Sequence, residues 1–89
     1  MKIINNSTSQ HNYPSTGNLI ILDKNLTKIP IFGHWGSKTK PFPRQISEFN
    51  TTDIAIIIQD LHHQGGNGCK ILTSNGTIGW VNIHMISHA

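Results

Sequence analysis

Six histidines, one cysteine and four carboxylates are the groups of this 89-residue chain with chemistry to offer. His62 and His63 are adjacent, and His84 and His88 are four apart. A spacing of four puts two imidazoles on one face of a helix, as a metal site would need. No helical period surrounds them, and neither a Cys-x-x-Cys nor a His-Glu-x-x-His pattern is present. The histidines therefore read as polar loop residues, and no metal or cofactor is expected. The carboxylates Asp23, Glu48, Asp53 and Asp60 are scattered. No Ser-His-Asp spacing or nucleophile elbow accompanies them, so no catalytic residue and no enzyme activity are expected. Gly65-Gly66-Asn67-Gly68 is rich in glycine but leads into an apolar strand-like run. Phosphate cradling needs a helix N-terminus at that place, so this function is set aside.

The stretch 23–48 has different chemistry. Trp35, Lys38, Lys40, Phe42 and Arg44 mix rings with cations. Rings supply contact area, and Lys or Arg reads an anion or steers encounter. These five are the expected binding residues. The competing structural role is a lid, with Phe32, Trp35 and Phe42 folded back over a small core. Lys40-Pro41-Phe42-Pro43-Arg44 is extended, because proline fixes φ and restrains the residue before it.

The elements that must position these residues are short strands. Leu19–Leu22 is an apolar run turned by Asp23-Lys24-Asn25. Ile29–Phe32 reads as a poorer strand, which Pro30 should confine to an edge. The span 33–44, with Gly33, Gly36, Pro41 and Pro43, reads as an irregular loop. Asp53–Leu61 is rich in isoleucine and reads as a strand, with five consecutive apolar residues from Ile54 to Ile58. Such a run is buried on both faces, or covered on one by a loop or a second subunit. Cys69–Thr73 and Thr77–Val81 flank Ser74-Asn75-Gly76. An Asn-Gly pair between apolar runs signals a hairpin whose two central residues take φ > 0. Ile83–Ile86 reads as one short helical turn. Residues 5–18 lack an apolar period, so 1–18 read as a loose arm, and 19–89 as one all-β domain.

Composition narrows the class. At 36% hydrophobic residues the chain can fill one small core. A net charge of +3 is too mild for a dense nucleic-acid patch. One cysteine excludes an intrachain disulfide, and its apolar neighbours suit a buried thiol. The N-terminus shows no secretory h-region, and no apolar run has the ~18 residues of a membrane span. A cytoplasmic location without membrane contact is therefore expected, or the virion if the source is a phage. The bias toward Ile, Asn and Lys fits an AT-rich microbial or phage genome.

Taken in order, these pieces resemble the Src-homology 3 (SH3) barrel and its bacterial relatives over 19–86. Ile20-Ile21-Leu22-Asp23-Lys24 stands where the family has Ala-Leu-Tyr-Asp-Tyr. Ile46-Ser47-Glu48-Phe49 resembles the segment ending the long first loop. Asp53-Ile54 resembles the start of the second strand, and Ser74-Asn75-Gly76 the distal turn. Gly79-Trp80-Val81-Asn82-Ile83-His84-Met85-Ile86 resembles the closing element. The resemblance implies a small barrel of about five strands with a long RT-type first loop, and Asp53 capping a turn. It also implies a groove for proline-rich peptides, built from aromatic rings and a proline. On this chain those places fall on Leu22, Lys24, Gly68, Asn82 and Met85, none of them aromatic or proline, so that activity is not expected.

The expected function is thus a non-catalytic protein-binding or assembly module. Its partner is a protein or a second copy, held by the 23–48 loop and the outer face of the 53–61 strand, with Ala55 and Ile57 as the exposed stripe. The alternative, from another class, is nucleic-acid binding through the same rings and cations.

Overall fold

The computed structural model describes residues 13–36 and 43–89, apart from the side chain of His63. Seven strands form it: β1 (Leu19–Leu22), β2 (Lys28–Phe32), β3 (Gln45–Asn50), β4 (Ala55–Asp60), β5 (Gly68–Thr73), β6 (Ile78–Asn82) and β7 (Ile86–His88). They make one curled antiparallel sheet in the order β3-β2-β6-β5-β4-β1-β7, a half-barrel of the small β-barrel class. One-turn 3-10 helices, His62–Gln64 and Ile83–Met85, join β4 to β5 and β6 to β7.

Alternation of side chains builds the two faces. In β1 Ile20 and Leu22 point inward while Leu19 and Ile21 stay exposed. Ile20, Ile31, Phe49, Ile57, Ile71 and Val81 lie at the centre of the core, closed by Ile83 from the second 3-10 turn. Cys69 is also fully buried there. Apolar burial of this kind drives the sheet to curl around its inner face.

The seven strands exceed the five expected by β3, which pairs with β2 across the long first excursion, and by β7, which begins at Ile86 where only a helical turn was expected. β2 and β3 pair from Lys28↔Asn50 to Phe32↔Gln45. Phe49, fully buried, is the core anchor of β3, whose other apolar residue, Ile46, stays exposed. Asp53 caps the turn that follows, as the resemblance implied. Its Oδ2 accepts the Asn50 N–H at 2.7 Å, while the Asp53 N–H donates to the Asn50 carbonyl at 2.9 Å. Pro30 does not place β2 at the edge, since β2 lies between β3 and β6. The β6 pairing is confined to Phe32↔Trp80, so at Pro30 the ladder runs to β3 alone and a missing donor is tolerated.

The expected exposed stripe on β4 is the buried one. Ala55 and Ile57 face the core, and Ile54 and Ile58 face outward. Register decides this: Ile57 sits opposite the core residue Ile71, and a period of two sends its neighbours to the other face. A bulge at Ile58 then breaks the ladder between Ile57 and Gln59.

The β5–β6 hairpin forms as expected, but not through two φ > 0 residues. Only glycines have positive φ among the described residues, and Gly76 is one of them at 93°. The loop 74–76 is the three-residue kind closed by a left-handed glycine. Thr73 N–H donates to the Thr77 carbonyl at 2.9 Å, and Gly76 N–H to the Thr73 carbonyl at 3.0 Å. The Thr73 and Asn75 side chains hydrogen-bond one another, and Asn75 Oδ1 also accepts from the Thr77 hydroxyl at 3.1 Å.

Residues 13–18, the last part of the expected arm, are fastened to the sheet. Pro14 is buried. Gly17 N–H donates to the Ile57 carbonyl at 2.8 Å, and Ile57 N–H returns a bond to the Asn18 carbonyl at 3.0 Å. Thr16 donates through its backbone N–H and its hydroxyl to Asp60 Oδ2, at 3.0 and 2.9 Å.

Candidate binding surface

The outer face of the sheet carries two neighbouring rows of different chemistry. The first is apolar. Register places Leu19 opposite Ile56, Ile56 opposite Leu72, and Leu72 opposite Ile78, one lateral line across β1, β4, β5 and β6. Leu19 is 54% exposed, Ile78 49% and Leu72 36%. Leu19, Ile56 and Leu72, with Ile54, line an open groove of about 210 Å³ whose walls are almost wholly carbon. No charged side chain lies in the line.

The second row is polar and aromatic. Gln59 faces Lys70, Lys70 faces Trp80, Trp80 faces Phe32, and Phe32 faces Gln45. Trp35 joins it from the loop after β2. Its ring lies 6.4 Å from that of Trp80, tilted by 31°, and 6.1 Å edge-on from that of Phe32. The ring is seated on backbone: a Cβ on Gly68 would stand 2.7 Å from Trp35 Cγ and Cδ1. Glycine at 68 is thus what lets the indole rest flat on β5. His34, the residue before Trp35, buries Nε2 with no hydrogen-bond partner among the described residues.

Of the five residues expected to bind, Trp35 and Arg44 are described, and Lys38, Lys40 and Phe42 lie outside the described residues. Trp35 sits in the aromatic row. Arg44 is exposed, and its carbonyl accepts the Gly33 N–H at 2.9 Å, which ties the two ends of the loop together. Trp80, Phe32 and Lys70 were not among the expected site residues. The signal for Trp80 and Lys70 was available: both have the outward parity of a hairpin whose inward residues, Cys69, Ile71 and Val81, are apolar. The packing of Trp35 on Gly68 had none, because the two are 33 residues apart with no local pattern linking them. Of the places where the resemblance puts groove rings, Leu22 is buried in the core and Gly68 lies beneath the Trp35 indole.

A third cluster lies at the end of the sheet. The Tyr13 ring contacts His62 at 5.2 Å and His84 at 5.1 Å. His84 Nε2 lies 3.3 Å from Asn67 Oδ1. Among the described residues no three groups of the His, Cys, Asp or Glu kind gather as a metal site would require. Burial pushes the Cys69 thiol up to about 12, with the Asp60 carboxylate adding to the shift. A thiol of that kind carries almost no thiolate near neutrality and is not a nucleophile. No helix among the described residues is long and apolar enough to cross a membrane.

No family model, curated protein or solved structure matches the chain.

Proposed function

We propose that this chain is a non-catalytic assembly module of SH3-like descent that pairs with a second copy through the apolar row of its outer face. The SH3-like reading is supported by chain order. A long excursion follows β1, a turn of 3-10 helix precedes the last strand, and that strand pairs back with β1 from Ile20↔His88 to Leu22↔Ile86. The assembly reading rests on one observation: Leu19, Ile56, Leu72 and Ile78 form an uncharged line across four strands, with Ile54 and Ile58 exposed beside it. Contiguous apolar surface on a domain this small marks an interaction site, whereas single exposed residues do not. A two-fold pairing sets the same face against itself, and a neutral face adds no like-charge repulsion.

Size exclusion with light scattering tests this. The expected result at high concentration is twice the monomer mass, and Leu19→Glu returns the chain to a monomer without unfolding it. A strict monomer at high concentration overturns the self-pairing reading.

A further inference from the structure

We propose that the aromatic row, separate from the apolar row assigned to assembly, is a binding site for single-stranded nucleic acid. The carrier is the juxtaposition of Phe32, Trp35 and Trp80 with Lys70, all half-buried, on the outer sheet face.

Two tryptophans at 6.4 Å with a 31° tilt, and a phenylalanine edge-on to one of them, form a platform of π faces. Unpaired bases stack on such platforms irrespective of sequence, since every base has a π face. Rigidity matters as much as ring area. Trp35 is pressed on the Gly68 backbone, and Trp80 is held by the β5–β6 ladder from Gly68↔Asn82 to Leu72↔Ile78. A preformed platform loses little freedom on binding.

Charge points the same way. Lys70 is the cross-strand neighbour of Trp80, and among the described residues the ion pair is Lys28–Glu48, not one involving Lys70. Each of the four carboxylates has a partner outside the row. Glu48 pairs with Lys28 at 3.6 Å, Asp23 accepts from the Asn25 N–H, Asp53 from the Asn50 N–H, and Asp60 from Thr16. None of the row's own members is a carboxylate, and Gln59 and Gln45 offer amides to base edges. A cation beside stacking rings is the pairing that single-strand sites use: phosphate to the ammonium, base to the ring. A proline-rich peptide would use the rings and leave Lys70 without a role.

Labelled oligo-dT and oligo-U strands of about 15 nucleotides, and a duplex of the same length, are titrated with the full chain while tryptophan fluorescence is followed. Saturable binding to one or both single strands is expected at about 20 mM salt, with quenching, and a loss of roughly fivefold or more by about 200 mM. The two strands separate DNA from RNA preference. Trp80→Ala is expected to weaken binding roughly tenfold or more. Lys70→Gln, at a position outside the core, is expected to keep the fold and to lower the salt slope by about 0.7. Leu19→Glu, which breaks assembly, leaves this binding in place, so the two proposals fail separately. Absence of binding at low salt, binding indifferent to salt, an unchanged slope in Lys70→Gln, or quenching by a proline-rich peptide but not by the oligonucleotides would each overturn the site.

Discussion

Gly68 and Cys69 are neighbours with opposite constraints. Gly68 faces outward, where the Trp35 indole occupies the space a side chain would take. Gly68→Val therefore has to expel the ring, leaving Trp35 in water and the platform dismantled. The expected outcome is a red-shifted tryptophan emission and a loss on the order of 1–3 kcal/mol, the usual cost of overpacking a filled site. An unshifted emission spectrum would show that Trp35 does not rest there. Cys69 faces inward, and its thiol, pushed up to about 12 by burial and by Asp60, stays protonated in the fold where an exposed one would ionise. Between the ordinary value of 9.0 and about 12 the unfolded chain holds fewer protons than the folded one at this site. By linkage the thiol's contribution is complete below pH 9 and is lost as pH climbs toward 12. Alkylation at pH 8 should accordingly be slow in buffer and fast in denaturant. Rapid modification of the native chain would place Cys69 at the surface instead.

At the level of elements, the two faces of β4 make a sharp test of register. Ile57 is 1% exposed and Ile58 40%, although the two are adjacent and alike. Ile57→Ala should cost about 2–4 kcal/mol, because it opens a cavity beside Ile71. Ile58→Ala should stay within about 0.5 kcal/mol, since the bulge leaves that side chain in solvent. Chemical denaturation midpoints of the pair decide it, and equal losses would mean that the strand is covered on both sides. This strand also shows why its existence was legible in sequence and its orientation was not. Five apolar residues from 54 to 58 say strand, but a run without alternation carries no face information, and only the Ile57↔Ile71 pairing supplies it. The β5–β6 hairpin was legible because Asn75-Gly76 and the flanking runs act locally. β3 was not, because a single buried ring, Phe49, anchors a mostly polar stretch as a strand against β2, far from it in the chain. The same limit held for the candidate site. Trp35 was visible as a ring in an unusual loop, but its partnership with Trp80 and Lys70 exists only once β2, β5 and β6 lie side by side.

At the scale of the whole molecule, the half-barrel buries one face well and leaves the other with an apolar line that water solvates poorly. A chain of 89 residues has a small core and a thin margin, so association that covers this line changes the folding equilibrium itself. Binding that occurs only in the folded state stabilises it by mass action, and a self-pairing domain becomes more stable as its concentration rises. Thermal unfolding followed over a hundredfold dilution is expected to show the midpoint falling with dilution for the native chain and holding constant for Leu19→Glu. At the lowest concentration the two midpoints should converge to within a few degrees, because Leu19 is exposed in the monomer and its replacement costs the isolated fold little. A midpoint independent of concentration in the native chain would mean that the apolar line remains open to solvent. Convergence would locate the effect of Leu19 in association, while a deficit persisting at every dilution would locate it in the fold of β1 against β4.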